Sequence, residues 1–189
     1  MSLVVKRPEK RVEVCLDGSL QAEWEAAEAA LAEERQLKLV DARLNSTVRA
    51  KAEAVREIEE KARARSVTFL LRGMPRHVWD AFVAEHPERE GNELDKAYGY
   101  NTETIFDAVL AHKLPVGITA EVPPTIVSVT KQDGTPVEFS PAEWQAFADE
   151  LTNAQYGSFQ VAVNEINRGR TNVPFSPAAY RETRPSGRN

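Results

Sequence analysis

The chain has 189 residues, with 24 Lys and Arg against 29 Asp and Glu and a hydrophobic share of 42%. That is the makeup of one ordinary globular domain able to bury a core without disulfide or metal staples. The net charge of −5 argues against a nucleic-acid-binding domain, which needs a basic face. No apolar run approaches the roughly 18 residues of a membrane span, and the opening Met1–Pro8 lacks the apolar stretch of a signal peptide. A single cysteine, Cys15, precludes an internal disulfide framework and suits a reducing cytoplasm. The charge is uneven: residues 116–167 carry −6 and residues 168–189 carry +4.

Taken in chain order, Arg11 to Leu16 alternates, with Val12, Val14 and Leu16 on one side and Glu13 and Cys15 on the other. This period of two predicts a strand, and residues 1–18 read as an N-terminal arm and strand. From Ser19 through Arg72 there is neither Gly nor Pro, and strong helix formers dominate. Leu20, Trp24, Ala27 and Leu31 make a 4-3-4 apolar stripe of coiled-coil type. It slips after Leu31, resumes at Leu37, Val40, Leu44 and Val48, and continues at Val55, Ile58 and Ala62. One unbroken helix over this stretch would be about 70 Å long, against a radius of gyration of roughly 16 Å for a compact domain of this size. The phase slip and the weak helix formers Asn45-Ser46-Thr47 predict a helical hairpin over 19–65 that turns near Asn45–Thr47.

Ser66–Arg72 alternates again and returns the chain to the first strand, so the two are expected to pair antiparallel at the base of this stem. Residues 66–169 read as a mainly helical body. A helix opens at Pro75 and carries Val78, Trp79 and Phe82. A polar loop over Glu88–Gly99 leads to a helix capped by Asn101 or Thr102 that carries Ile105, Phe106, Val109 and Leu110. A β-hairpin is expected within 115–139, turning at Gln132-Asp133-Gly134. Ser140-Pro141-Ala142-Glu143 is a capping box opening a helix with Trp144 and Phe147, and a last helix carries Phe159, Val163 and Ile166 and stops at Gly169. Residues 170–189, with three prolines and no periodicity, read as a flexible basic tail. The expected class is mainly α with minor β, α+β.

Signatures of chemistry are missing from the sequence. His77, His86 and His112 lie in no metal-binding frame, and Cys15 has no partner that would activate it. There is no glycine-rich phosphate loop and no nucleophile elbow. The reading is therefore non-enzymatic, with no catalytic, cofactor-binding or metal-binding residue assigned and no cofactor. Trp24, low on the stem, is placed either to dock stem to body, the favoured role, or to dock a partner. Pro174-Phe175-Ser176-Pro177 sets an apolar ring in a polar tail, as a peptide-like anchor or a strap across the body.

Several runs resemble the tail assembly chaperones of long-tailed phages and prophages of actinobacteria. The longest is Phe69–Pro87, which contains Arg72-Gly73-Met74-Pro75-Arg76-His77-Val78-Trp79. Tyr98–Thr104, Leu151–Tyr156, Val163–Arg168, Val173–Ala179 and Cys15–Trp24 are similar to other stretches of that family. Pro115–Phe139 departs from it, being longer than the link expected between the central and penultimate helices. The resemblance implies a protein of the host bacterial cytoplasm that binds the long helical tape-measure protein before the tail tube forms around it. Its implied partners are the tape-measure protein and the tail tube protein, with self-association left open and neither nucleic acid nor membrane involved. The partner-binding candidates are Trp24, Leu37, Val40 and Leu44 on the stem stripe and Pro174, Phe175, Ser176 and Pro177 in the tail. Two alternatives are a structural component of the phage particle, such as a tail or head protein or scaffold, and a coiled-coil regulatory adaptor.

Overall fold

The computed structural model describes residues 5–38, 45–119 and 121–169. The two alternating segments form β1 (Glu9–Cys15) and β2 (Ser66–Arg72), paired antiparallel from Glu9↔Arg72 to Cys15↔Ser66. On its other side β2 pairs with β3 (Ile126–Lys131), which turns back into the short β4 (Pro136–Val137). The sheet order is β1-β2-β3-β4. The hairpin expected within 115–139 thus completes a four-stranded sheet, which a two-stranded ribbon needs for stability.

Val12, Val14, Val67, Phe69, Leu71, Ile126 and Val129 are buried and belong to one core. Leu16 is a correction: it lies beyond the end of β1 and is 58% exposed. Its backbone N–H bonds the Arg65 carbonyl at 3.0 Å, which closes the ladder, and its side chain is not part of the core cluster.

Between β1 and β2 the chain makes α1 (Ser19–Lys38) and α2 (Asn45–Ala64), each about 30 Å long. The helices pack on one another. Their seam buries Leu20, Leu31 and Val55 and partly covers Ala27, Val48, Ile58 and Ala62. None of these seven belongs to the core cluster of the body, so the stem has its own hydrophobic seam. The turn expected at Asn45–Thr47 does not fall there, because these residues form the first turn of α2. Asn, Ser and Thr are as suited to opening a helix as to interrupting one. The connection, 39–44, lies outside the described residues.

The body contributes α3 (Arg76–Glu85), α4 (Glu93–Tyr98), α5 (Ile105–Leu110), α6 (Trp144–Asp149) and α7 (Asn153–Arg168). Ser140 and Glu143 form the expected capping box, and a second box, Thr152 with Gln155, opens α7. Helix α7 packs against β1 and β2, bringing Phe159, Val163 and Ile166 into the core. Phe69 meets Phe139, Phe147 and Phe159 at ring separations of 5.1–5.2 Å. Gly73 follows β2 where a Cβ would stand 2.6 Å from the Ile166 carbonyl oxygen. Only glycine lets the strand end approach α7 that closely.

The polar stretch Glu88–Gly99 is not a plain loop. Asn92 caps α4, accepting from the N–H groups of Leu94 and Asp95, and α4 carries the fully buried Asp95. The Asp95 carboxylate accepts from the N–H of Thr102 at 3.0 Å, from its hydroxyl at 2.7 Å and from Arg89 Nε at 2.6 Å. Arg89 is itself about a third exposed, so this carboxylate is dry yet only one side chain below the surface. Thr102 is thereby spent on Asp95 and does not cap the next helix, which begins at Ile105.

Hydrogen bonding to Arg89, and then to Thr102, holds the Asp95 carboxyl well below the usual carboxylate range. A depressed folded-state value stabilises the fold fully above the unfolded carboxylate's value of about 4, and that contribution disappears as the pH falls further. Asp95→Asn should therefore lower the melting temperature at neutral pH by several degrees. The gap to the wild type should narrow as the pH falls below about 4. Thermal melts across that range test this, and a gap that stays constant would show that the charge of Asp95 is not what the site uses.

Candidate partner-binding site

The stem meets the body where β1 passes into α1 and α2 into β2. Leu16 and Arg65 are tied there by their backbones, and the Ser66 hydroxyl donates to the Ala62 carbonyl at 2.9 Å. From the body, the capping residue Gln155 at the start of α7 donates its amide to the Cys15 carbonyl at 3.0 Å. These ties surround a cleft of about 750 Å³ lined by Cys15, Leu20, Trp24, Glu59, Thr152 and Gln155 among others. Its carboxylates, Glu13, Asp17 and Glu59, outnumber its one cation, Arg63. Hydrogen bonds from the Ser19 hydroxyl and N–H keep the Asp17 carboxyl below its ordinary range.

Trp24 stands on the rim of this cleft, 36% exposed, with its indole N–H 3.4 Å from Glu59 Oε1 on α2. The indole therefore spans the two stem helices and presents part of its ring to solvent beside the body. Leu37, near the far end of α1, is 50% exposed. Thirteen residues separate Trp24 from Leu37, about 20 Å along a helix, so the two mark opposite ends of the stem and not one pocket. Val40, Leu44, Pro174, Phe175, Ser176 and Pro177 lie outside the described residues.

The outer surface of α1 has a definite character. Ala22, Ala26, Ala29 and Ala32 are exposed, and residues 19–34 carry five glutamates and no basic residue. Small side chains let a second helix come close, and glutamates select one with basic flanks. The cleft itself was not readable from the sequence, since Gln155 reaches Cys15 across 140 residues. The one available signal was the Thr152-x-x-Gln155 pattern, which marks a helix start without saying what that start faces.

No family model, no curated protein and no solved structure matches the chain.

Among the described residues, no group of three His, Cys, Asp or Glu side chains is arranged to hold a metal ion. Nor, among the described residues, is any helix long and apolar enough to cross a membrane. His86 pairs through Nδ1 with the Thr104 hydroxyl at 2.8 Å, and burial pushes its pKa down. Asp107 accepts at Oδ1 from both the Trp144 indole N–H and the Tyr156 hydroxyl, each at 2.9 Å. Burial, with that carboxylate next, pushes the Tyr156 hydroxyl well above its ordinary range. Each of these polar groups has a partner within the fold, which accounts for it as part of the structure.

Proposed function

We propose that the protein is a non-enzymatic tail assembly chaperone of a long-tailed phage or prophage. It acts in the host cytoplasm by binding helical segments of the tape-measure protein and keeping them soluble until tube subunits arrive. The observation that carries this reading is the stem, a two-helix element with a seam separate from the body's core. Its accessible α1 surface offers alanines and glutamates, and the partly exposed Trp24 stands where the seam with α2 opens at the stem's base. A partner helix laid along α1 would complete a three-helix arrangement, as amphipathic helices do when they cover an apolar stripe. The family-like runs at Phe69–Pro87, Tyr98–Thr104 and Val173–Ala179 support the same reading.

Co-expression supplies the test. Tape-measure fragments from the same phage should aggregate alone and remain soluble with this chain. Trp24→Glu combined with Leu37→Glu should weaken their capture about tenfold or more, as loss of apolar anchors in a helix groove does. The body's fold should be retained, because neither residue belongs to its core cluster. Purified particles that carry the chain stoichiometrically, together with no capture of tape-measure fragments, would replace this reading with that of a structural component.

A further inference from the structure

β1 is an edge strand: it pairs with β2 on one side, and among the described residues no strand lies on the other. Which backbone groups face outward follows from the ladder. Leu16 N–H bonds Arg65 O and Gly73 N–H bonds Pro8 O, so Pro8, Lys10, Val12, Val14 and Leu16 turn their backbone groups toward β2. Glu9, Arg11, Glu13 and Cys15 turn theirs outward. Of these, the Cys15 carbonyl is occupied by Gln155. The outward N–H and C=O of Arg11 and Glu13 have no hydrogen-bond partner among the described residues.

An open edge bearing such groups is a template for another strand. We propose that the occupant is a second copy of β1, joined antiparallel about a two-fold axis through Val12 to make a continuous eight-stranded sheet. The charges select the occupant and the register. With Val12 opposite itself, Arg11 lies opposite Glu13 of the second copy, twice. These are outward-facing residues, so each such pair exchanges both backbone hydrogen bonds. Sliding by one step of the ladder either way puts Arg11 opposite Arg11 or Glu13 opposite Glu13 at the axis. Like charges directly opposed destabilise a strand pair and opposite charges stabilise it. Both side chains lie on the exposed face of the sheet, where such pairs can form. Glu13 already accepts from the Gln132 side chain through Oε1, which leaves its second oxygen for Arg11 of the second copy.

The surroundings of the edge are compatible with this occupant. Beside β1 runs a shallow groove lined by Lys10–Glu13 and by Ala154, Gly157, Ser158 and Val161 of α7. Ala154, Ser158 and Val161 are exposed, Val161 at 55%, and their spacing places them on one helix face. Across the two-fold axis this face would meet its own copy, where short side chains allow close helix approach. Lys10, a residue type that often blocks edge pairing, is held in a salt bridge to Glu165 of α7.

Sedimentation of the full chain over a range of micromolar concentrations tests the proposal, with a reversible dimer expected. Arg11→Glu should weaken association about tenfold or more, by opposing two pairs of glutamates. Adding Glu13→Arg to that variant should restore it, since the swapped charges again complement each other in the same register. A monomeric wild type overturns the proposal, and so does a well-folded double variant that fails to regain association. Amide exchange on the wild type needs no variant. The Arg11 and Glu13 amides should gain protection as concentration rises. Protection that is present in the monomer and independent of concentration would mean that another part of the chain covers the edge, which also overturns it.

Discussion

Truncating Trp144 to alanine should remove about 3–5 kcal/mol of stability, a large share of the roughly 5–15 kcal/mol that holds a domain of ordinary stability folded. The indole is fully buried, packs edge-on against Phe159 at 4.9 Å and leans on Phe147. Its N–H donates to Asp107, which also accepts from Tyr156. The truncation therefore opens a large cavity and strips a half-buried hydrogen-bond network of one member, and both effects act in the same direction. Trp79→Ala should cost a similar amount, since Trp79 is buried against Tyr100 at 5.7 Å in the other aromatic group of the core. Chemical denaturation at neutral pH measures both. A midpoint close to that of the wild type for either variant would mean that the ring does not hold the body together.

Removing the stem should have the opposite outcome for stability and the larger one for binding. Leu16 and Arg65 already face each other as a hydrogen-bonded pair at the end of the β1–β2 ladder. A two-residue Asn-Gly turn in place of residues 17–64 would join them as a tight hairpin. No residue of the excised segment belongs to the core cluster. The shortened chain should fold cooperatively and melt within several degrees of the full chain, while capture of tape-measure fragments falls to background. It should also keep the self-association assigned to β1, so the two proposals can fail separately. Loss of cooperative unfolding would show instead that the stem is part of the body's folding unit.

Much of this architecture was legible because it rests on local periodicity. The alternation in Val12–Val14 and Val67–Leu71, the stripe of the stem and the capping box at Ser140 each follow from contacts within a few residues. What escaped depends on contacts distant in sequence or on polar burial. The stretch Glu88–Gly99 reads as loop because its residues are charged, yet Asp95 is buried by exchanging water for Arg89 and Thr102. The Thr- and Val-rich segment within 115–139 announces a hairpin, but no local signal says that β3 extends the sheet beside β2. Leu16 continues the alternation of β1 in sequence, yet it sits just past the strand's end, at the base of the stem, where its side chain is exposed. Of the candidate site, Trp24 and Leu37 were findable as apolar positions on a helix with too little core to cover them. The cleft beside Trp24 was not, as it is closed by a capping glutamine from the far end of the chain.

The way the stem joins the sheet also fixes how the molecule would bear force. The two helices feed adjacent strands at the same end, and the first rung between those strands is Leu16 to Arg65. A load that spreads α1 from α2 would therefore reach the ladder as a zipper, opening the Leu16–Arg65 rung, then Val14–Val67, then Val12–Phe69 in turn. A load drawn along the strands would instead stretch all rungs together. The stem is thus a lever with a weak direction and a strong one, and any long partner gripping both helices would set which of the two the body feels.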